Sequence, residues 1–355
     1  MTNPTTIAAE RAARLRELFP SGVPALWCPS VTHYTAEGAI DAERIAAHWR
    51  HLAPAVRGLL IPGSTGDGWE LTEPELEQLR EIAFAEAGRL GLHLLVGALR
   101  RDAESAVSTI RTVVDRVQAR TGQADPAAAL REAGVCGFTV CAPAGRDLTQ
   151  SQIRAGLVAI LELGFPTAIY QLPQVTENEI SPEVLAELAA GFSNFILFKD
   201  TSGKDRVVLS ERSLGGVFTV RGAEGDYARW LNAAGGPYDG FLLSAANCFA
   251  RELQQIMADL RAGRRADAEA LSVRLTAVIG EVFQLAGGLP YGNAFANANK
   301  AIDHFFAHGP AAMRLPFPRL HAGAFLPRTV MEQTQAALSQ HGFLPTQGYL
   351  TSGQG

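Results

Sequence analysis

The sequence predicts an α/β fold, a (β/α)8 TIM barrel with a C-terminal helical extension, and three observations support this prediction. Eight apolar runs have the length of β-strands, and segments with helical periodicity separate them. The separations leave room for the crossover helices that parallel strands require. Eight units favour a closed barrel over an open doubly wound sheet, and no GxGxxG follows the first run, as an open dinucleotide-binding sheet would usually need.

The predicted strands share short runs of aliphatic, β-branched or aromatic residues. They cover residues 23–28, 57–63, 93–99, 137–143, 167–173, 195–200, 217–223 and 239–245. The helices between them carry start signals. In "LTEPELEQLREIAFAEAGRLG", Thr72 is the expected N-cap, Pro74 lies in the first turn and Glu75 takes the capping-box position. "ISPEVLAELAAGF" repeats the arrangement with Ser181 as the N-cap.

The chain divides into three predicted regions. Residues 1–22 are expected to form an amphipathic N-terminal helical extension, residues 23–250 the barrel catalytic domain, and residues 251–355 a C-terminal helical region. "ARTGQADPAAALR", residues 119–131, breaks the spacing between the third and fourth units and predicts an inserted loop or short helix. Within the C-terminal region, "FANANKAIDHFFAHG" is interpreted as a packing helix rather than part of a site.

Composition argues against several classes of function. The chain has 355 residues, 47% hydrophobic and 19% charged, which suits a large folded core. A formal charge of −5 and a pI near 5.9 give no basic surface for nucleic acid. No apolar run approaches the roughly 20 residues of a membrane span, and the N-terminal segment lacks the apolar block of a signal peptide. A cytoplasmic location is therefore expected.

Metal and disulfide chemistry are not expected. The four cysteines lie in or beside apolar runs, with no CxxC pair and no metal-ligand spacing, and are interpreted as small buried hydrophobic residues: Cys28, Cys136, Cys141 and Cys248. The eight histidines are scattered. His48 and His51 lie on a predicted helix, and no carboxylate cluster follows the strands, which argues against a metal-dependent class II aldolase.

Lys199 is the most informative residue of the chain. It ends the sixth predicted strand and shares strand parity with Phe195 and Leu197, a face interpreted as the barrel interior. Burial disfavours the ammonium form and lowers the pKa of lysine, and a neutral amine can attack a ketone to form a Schiff base. The alternative is a strand-end lysine that reaches solvent or pairs with Asp200.

Tyr170 supports the chemical interpretation. It ends the fifth strand, beside the sixth, so its hydroxyl could exchange protons near the lysine during carbon–carbon cleavage. The alternative is a half-buried barrel tyrosine whose hydroxyl is satisfied by the protein.

The turn "GSTGDG", residues 63–68, follows the second strand. Gly63 permits close approach, and the hydroxyls of Ser64 and Thr65 together with backbone N–H groups could hold a carboxylate. It is not a P-loop, because no GK[ST] follows. A plain tight turn explains the pattern equally well. Trp69, just beyond it, could line a pocket mouth or pack against a helix.

The order of "GSTGDG", "YQLP" and "FKDTSGKD" resembles the dihydrodipicolinate synthase and N-acetylneuraminate lyase family, from about residue 22 to the helical C-terminus. The resemblance implies a (β/α)8 barrel with a helical C-terminal part that assembles as a homo-oligomer, a dimer or tetramer. It also implies a lysine Schiff base to a 2-keto acid such as pyruvate, with no separate cofactor and no metal.

The resemblance assigns roles by position. Lys199 corresponds to the Schiff-base lysine and Tyr170 to the acid/base tyrosine, while Ser64 and Thr65 correspond to the hydroxyl pair that binds the keto-acid carboxylate and relays protons. Thr65 is therefore counted as catalytic, and Gly63 as substrate-binding. Three further positions fall where some members hold the rest of the substrate: Gly222, Glu224 and Ser244.

Departures from the family pattern concern the substrate. The usual asparagine after the tyrosine is Gln171, and the position where dihydrodipicolinate synthases carry an arginine is Val175. "CAPAGRD" has Ala144 and Gly145 where those synthases supply a relay tyrosine. These departures argue against true dihydrodipicolinate synthesis, whereas Ser64 and "DTSG" resemble the sialic acid lyase members.

Several functions stay open at this level. The first expectation is a lyase that cleaves a 2-keto acid or a 2-keto-3-deoxy sugar acid reversibly through Lys199. A dehydratase of the same family is the alternative within enzymes. A non-catalytic barrel that binds a keto acid or sugar acid is the alternative outside them, and retention of both Tyr170 and Lys199 counts against it.

Overall fold

A computed structural model describes residues 4–350. In these residues eight parallel strands follow one another around a closed barrel in chain order, which confirms the predicted fold class. The strands are β1 (Leu26–Cys28), β2 (Gly58–Ile61), β3 (His93–Gly97), β4 (Val135–Cys141), β5 (Thr167–Gln171), β6 (Phe195–Asp200), β7 (Phe218–Arg221) and β8 (Gly240–Leu242). Each strand lies within or overlaps one of the eight predicted runs.

Twelve α-helices occur in the same described residues. They are α1 (Pro4–Leu18), α2 (Ala42–Leu52), α3 (Glu73–Leu90), α4 (Ala103–Thr121), α5 (Pro126–Glu132), α6 (Gln150–Leu161), α7 (Pro173–Thr176), α8 (Pro182–Gly191), α9 (Ala246–Arg261), α10 (Arg265–Gly287), α11 (Ala294–His308) and α12 (Arg328–Gln340). The C-terminal region is helical as expected. The boundaries of the three regions stay a prediction, and residues 1–3 and 351–355 of the two extensions lie outside the described part.

Local signals explain where the helices begin. Thr72 and Glu75 form the reciprocal capping box at the start of α3, with the Thr72 N–H donating to Glu75 Oε2 at 2.8 Å. Ser181 Oγ accepts the N–H of Val184 at the start of α8. The segment 119–131 resolves into the end of α4 and the short helix α5, which Asp125 caps.

Two crossover connections differ from the expected strand–helix alternation. Among the described residues no α-helix lies between β6 and β7, and the β7–β8 connection has only a 3₁₀ turn, Asn232–Ala234. Glycines at positive φ interrupt both connections. In the first, Ser202 Oγ accepts the N–H groups of Lys204 and Asp205, and such side-chain bonds to the backbone compete with helix formation.

The described chain divides into two units that alternate along the sequence. The first comprises residues 4–25, 92–223 and 236–242, and the second comprises residues 26–91, 224–235 and 243–350. Within the first unit, β3 to β8 pair in parallel register. Within the second, β1 pairs with β2, and α9 to α12 pack against one another.

Arg11 anchors the N-terminal helix inside the first unit. Its side chain is fully buried, and Ile7 is the other buried residue of α1. The guanidinium donates to four backbone carbonyls, those of Ala189, Phe192, Phe195 and Gly215. Burial lowers the pKa of Arg11 to about 10, so it stays charged at neutral pH.

The second unit contains the most apolar long helix, α10. Among the described residues it alone is long and apolar enough, by length and composition, to cross a membrane, whereas the sequence analysis found no apolar run of that length. It packs against α9, α11 and α12. Leu275, Val278 and Val282 are buried in these contacts, so helix packing accounts for part of its apolar character.

A buried polar network joins four segments of the second unit: the loop after β1, the helices α2 and α11, and the residues after α12. Asp303 on α11 pairs with Arg44 on α2 and accepts a hydrogen bond of 2.9 Å from the Tyr349 hydroxyl. His33 and His48 lie 3.6 Å from the same carboxylate and contact each other at 3.3 Å. Burial alone would raise the pKa of Asp303, but Arg44 and the histidines hold it below its usual range.

Partly exposed histidines of this unit make its stability sensitive to acid. Burial lowers the pKa of both His51 and His308 to about 4. The unfolded chain titrates near 6.5, so between pH 6.5 and 4 it binds protons that the folded chain does not. The free energy of unfolding should therefore decrease as the pH is lowered from 6.5 to 4. The decrease is at most about 1.4 kcal/mol per pH unit for each histidine, and it is smaller where solvent screens the charge.

Urea unfolding between about pH 7.5 and 4.5 measures this dependence. The His308→Gln variant cannot gain the proton and should show a shallower decline over the same range. A free energy of unfolding that stays constant down to pH 4.5 would contradict the expectation.

Candidate active site

Lys199 and Tyr170 are direct neighbours at the ends of β6 and β5. The two residues are register partners, and each side chain is 3% exposed. Lys199 Nζ lies 3.9 Å from the centre of the Tyr170 ring. The amine of Lys199 is thus packed against the aromatic face of Tyr170 and largely removed from water.

The row of residues around Lys199 continues across neighbouring strands. Cys141 at the end of β4 is the register partner of Tyr170, and Val220 of β7 is the partner of Lys199. Burial raises the pKa of the Cys141 thiol to about 12, while the nearby charge of Lys199 acts in the opposite direction. All four cysteines are buried and none forms a disulfide within residues 4–350, which confirms their interpretation as small buried residues.

Gly222 lies against the stem of Lys199. A Cβ atom at this position would lie 2.7 Å from Lys199 Cε and 2.4 Å from Thr201 Cγ2. The Gly222 N–H donates to the Asp200 carbonyl at 2.7 Å, so the backbone cannot easily withdraw. Gly222 thus leaves the space that the lysine side chain occupies.

We expect the Gly222→Ala variant to displace Lys199 and to slow the Schiff-base formation predicted for it from the sequence. A misplacement of about 1 Å can cost on the order of 10²-fold in rate. Stopped-flow or quench measurement of adduct formation on Lys199 tests this, with Gly191→Ala as a control, because Gly191 ends α8 with open space at its Cβ position and without a positive φ. An unchanged rate in Gly222→Ala would contradict the steric argument.

The sequence analysis missed a buried cluster that fixes the end of β7. Arg221 forms a two-pronged ion pair with Asp205, at 3.0 and 3.2 Å, and the Tyr238 hydroxyl donates to Asp205 at 2.6 Å. Arg221 also donates to the Ala223 carbonyl at 2.8 Å. Burial raises the pKa of Tyr238, and the neighbouring aspartates raise it further. The cluster connects the β6–β7 loop to the residue before Gly222.

In the second unit, the "GSTGDG" turn presents one hydroxyl already oriented and one that is free. The turn is a short 3₁₀ segment, Ser64–Gly66, that follows β2. Trp69 Nε1 donates to Ser64 Oγ at 2.9 Å, which leaves the Ser64 proton able to donate to a ligand. Thr65 is 5% exposed, and its hydroxyl has no hydrogen-bond partner among residues 4–350.

Glu224 and Ser244 contact each other. Glu224 Oε1 accepts the Ser244 hydroxyl at 2.6 Å and the Ala245 N–H at 3.0 Å. The other carboxylate oxygen accepts the Tyr227 hydroxyl at 2.9 Å. These bonds fix the start of α9, so any contact with a substrate would come in addition to a structural role. Substrate binding by Gly222, Glu224 and Ser244 stays a prediction.

The chain matches known proteins over most of its length. The sequence pattern of the dihydrodipicolinate synthetase family matches residues 103–292, just over half of the chain. The chain belongs to the dihydrodipicolinate synthetase family. It therefore has the aldolase-type barrel of this family, in agreement with the resemblance stated above.

Curated relatives from the family are distant in sequence. The 4-hydroxy-tetrahydrodipicolinate synthase of Agrobacterium fabrum is 27% identical over 274 residues, which cover 76% of this chain and 85% of the relative. The enzyme of the same name from Rhizobium meliloti is 26% identical and covers 73% of this chain and 81% of the relative.

Solved structures from the family share the fold. YagE, a prophage protein of E. coli K12 from the dihydrodipicolinic acid synthase family, was crystallised in complex with pyruvate. It aligns with a TM-score of 0.71 at 20% identity, over 90% of this chain and 99% of YagE. Dihydrodipicolinate synthase of Thermotoga maritima aligns with a TM-score of 0.70 at 18% identity, over 90% and 99% of the two chains.

The positions that depart from the family pattern have structural roles here. Gln171 is buried, and its side-chain oxygen accepts the Ile180 N–H at 2.9 Å. Gly145 adopts a φ of 153° and donates its N–H to the Thr176 carbonyl at 2.8 Å. Val175 lies on the short helix α7 and is half-buried. None of these side chains carries a charge that could bind a second carboxylate.

Proposed function

We propose that this protein is a Schiff-base-forming lyase of the class I aldolase type, acting on a 2-keto acid of the pyruvate type or a 2-keto-3-deoxy sugar acid. The observation that carries the proposal is the buried amine of Lys199, held 3.9 Å from the centre of the Tyr170 ring at the end of β6. The reaction needs no separate cofactor, because the lysine supplies the electron sink as its imine.

In this proposal the substrate carboxylate is bound by Ser64 and Thr65. The Ser64 hydroxyl already accepts from Trp69 and can donate its proton, while the Thr65 hydroxyl is available for a ligand. Two adjacent hydroxyl donors suit a carboxylate. Glu224 and Ser244 are proposed to hold more distal hydroxyl groups of the substrate.

The reaction begins when neutral Lys199 attacks the keto carbon. The carbinolamine loses water and becomes a protonated imine. Tyr170 then removes the proton from the hydroxyl on the distal carbon, the carbon–carbon bond breaks, and its electron pair moves into the imine to give an enamine. Protonation of the enamine and hydrolysis release pyruvate and regenerate the amine, while the other fragment leaves as an aldehyde.

The substrate is not proposed to be that of a dihydrodipicolinate synthase. The position where those synthases carry an arginine is Val175, and Ala144 and Gly145 stand where they carry a relay tyrosine. A site without the arginine lacks the charge that those synthases use to bind the carboxylate of the second substrate, and a site without the tyrosine lacks their relay. The sugar-acid lyases, which need hydroxyl recognition instead, fit the polar pair Glu224 and Ser244 better.

Borohydride reduction in the presence of pyruvate tests the proposal. The chain contains only three lysines, Lys199, Lys204 and Lys300, so an adduct can be assigned by peptide mapping. We expect the adduct on Lys199. Absence of an adduct on Lys199 at saturating pyruvate would overturn the Schiff-base proposal.

A screen of aldehydes with pyruvate then identifies the second substrate in the condensation direction. Consumption of a 2-keto-3-deoxy sugar acid without release of an aldehyde would indicate a dehydratase of the same family. An adduct without turnover of any such acid would indicate a keto-acid-binding barrel.

We also propose that the protein acts in the cytoplasm as a homo-oligomer, a dimer or tetramer, without nucleic acid or membrane partners. The family resemblance and the formal charge of −5 support this proposal. Light scattering of the purified protein tests the oligomeric state, and a monomeric mass would contradict it.

A further inference from the structure

A buried ion pair lies at the end of the "GSTGDG" turn. Lys300 Nζ is 2.8 Å from Asp67 Oδ2, and the two residues are 2% and 4% exposed. The Tyr34 hydroxyl donates to the same carboxylate oxygen at 2.9 Å, and Lys300 Nζ lies 4.6 Å from the centre of the Tyr34 ring. Removing two charges from water costs several kcal/mol per ion, so such a pair is a poor way to gain stability alone.

The ion pair holds one end of the turn that carries Ser64 and Thr65. Asp67 follows the 3₁₀ segment directly and adopts a left-handed conformation, with φ of 60°. Its N–H donates to the Ser64 carbonyl at 3.2 Å, which closes the turn. A carboxylate fixed by Lys300 and Tyr34 therefore fixes the backbone on which the two hydroxyls depend.

Helix α11 holds the other end of the same turn. Asn293, the N-cap of α11, donates from Nδ2 to the Ser64 carbonyl at 3.0 Å. Asn293 and Lys300 are two helical turns apart and therefore lie on the same face of α11. One helix face thus contacts the turn at Ser64 and at Asp67, with Thr65 between the two contacts.

The choice of lysine at position 300 is informative. The chain has 31 lysines and arginines, of which only three are lysines. Lys204 is exposed and pairs with Glu179, whereas Lys199 and Lys300 are buried. The compact ammonium of Lys300 fits between Asp67 and the Tyr34 ring. The guanidinium of an arginine is larger and planar, so it could not take the same position.

We propose that Lys300 is a positioning residue for the carboxylate subsite: through Asp67, and together with Asn293, it holds the Ser64–Thr65 turn in the geometry that binds a keto acid. This inference rests on the proposed function. A binding turn must be held within about 0.5 Å of its productive geometry, and here α11 provides that support from both ends. The helix interpreted from sequence as a packing element is then part of the site.

The test compares the unaltered protein with the double variant Lys300→Met and Asp67→Asn. The variant replaces the ion pair by neutral groups of similar size, which often preserves stability, and asparagine tolerates the left-handed conformation. The readout is the pyruvate concentration that gives half-maximal borohydride adduct on Lys199. We expect it to rise by about 10- to 100-fold, with the maximal adduct retained at saturating pyruvate.

A second variant tests the same role in case the double variant does not fold. Asn293→Ser keeps an N-cap oxygen for the Ala296 N–H but removes the donor to the Ser64 carbonyl, and it should also raise the half-saturating pyruvate concentration. Tyr349→Phe is the matched control, because it removes a buried hydrogen bond to Asp303 on the same helix. It should lower the melting temperature without changing the half-saturating pyruvate concentration.

The outcomes are distinguishable. If the unaltered protein forms the adduct and both test variants keep its half-saturating pyruvate concentration, the positioning role of Lys300 is overturned, but the proposed function is not. Half-saturation that shifts equally in Tyr349→Phe also overturns it, because general loosening of α11 would then explain the effect. No adduct in the unaltered protein overturns the proposed function, and the inference falls with it.

Discussion

Replacing Lys199 by arginine is expected to abolish the pyruvate adduct and to lower kcat by about 10⁴-fold or more. Arginine keeps a positive charge and a long stem, but its guanidinium stays protonated and cannot form the imine. If Lys199 is the nucleophile, as proposed, its removal also removes the covalent route. Borohydride trapping and turnover of the substrate found in the aldehyde screen measure the two effects separately.

Lys204→Arg is the matched control for this experiment. Lys204 lies five residues further along the same "FKDTSGKD" motif, but it is exposed and pairs with Glu179. We expect trapping and turnover within about twofold of the unaltered protein, as is usual for a surface substitution. Turnover that survives in Lys199→Arg would show that another group carries the reaction.

The Tyr170→Phe variant is expected to lower kcat by about 10²- to 10⁴-fold, the usual contribution of a positioned acid or base. Phenylalanine keeps the ring against Lys199, so the amine should stay in place and the variant should still accumulate the reduced adduct. The loss should therefore concentrate in carbon–carbon cleavage. Single-turnover kinetics of cleavage, compared with the rate of trapping, resolves the two steps.

Tyr238→Phe provides the comparison for Tyr170. It removes the hydroxyl that donates to Asp205 from another buried tyrosine of the same unit. We expect it to lower stability by about 1–3 kcal/mol while cleavage keeps most of its rate. Equal losses of kcat in both variants would argue that Tyr170 supports the fold rather than moves a proton.

The strand pattern of this fold could be predicted because the signals for each strand lie within a few consecutive residues. The run "FILFKD" carries the strand signal, a turn with Gly203 follows it, and the run matches β6 residue for residue. The position of Tyr170 beside Lys199 follows from the order of parallel strands alone. The capping box of Thr72 and Glu75 is likewise contained within four residues.

The supporting contacts could not be predicted in the same way. Lys300 and Asp67 are 233 residues apart, and nothing in either local sequence identifies the other as a partner. Asp205 lies in the quoted motif "FKDTSGKD" and Arg221 in a predicted strand, but their ion pair depends on the β6–β7 connection, where a helix was expected. One signal was available: the rarity of lysine marks Lys300 as an exception worth explaining.

The four carbonyl contacts of Arg11 affect the order in which parts of the protein unfold. A terminal helix normally frays first and exchanges its amide hydrogens early. Here α1 cannot detach without leaving the carbonyl of Phe195, the first residue of β6, unpaired in the interior. The first helix and the strand that ends in Lys199 therefore belong to one cooperative unit of unfolding, although 184 residues separate Arg11 from Phe195 in the chain.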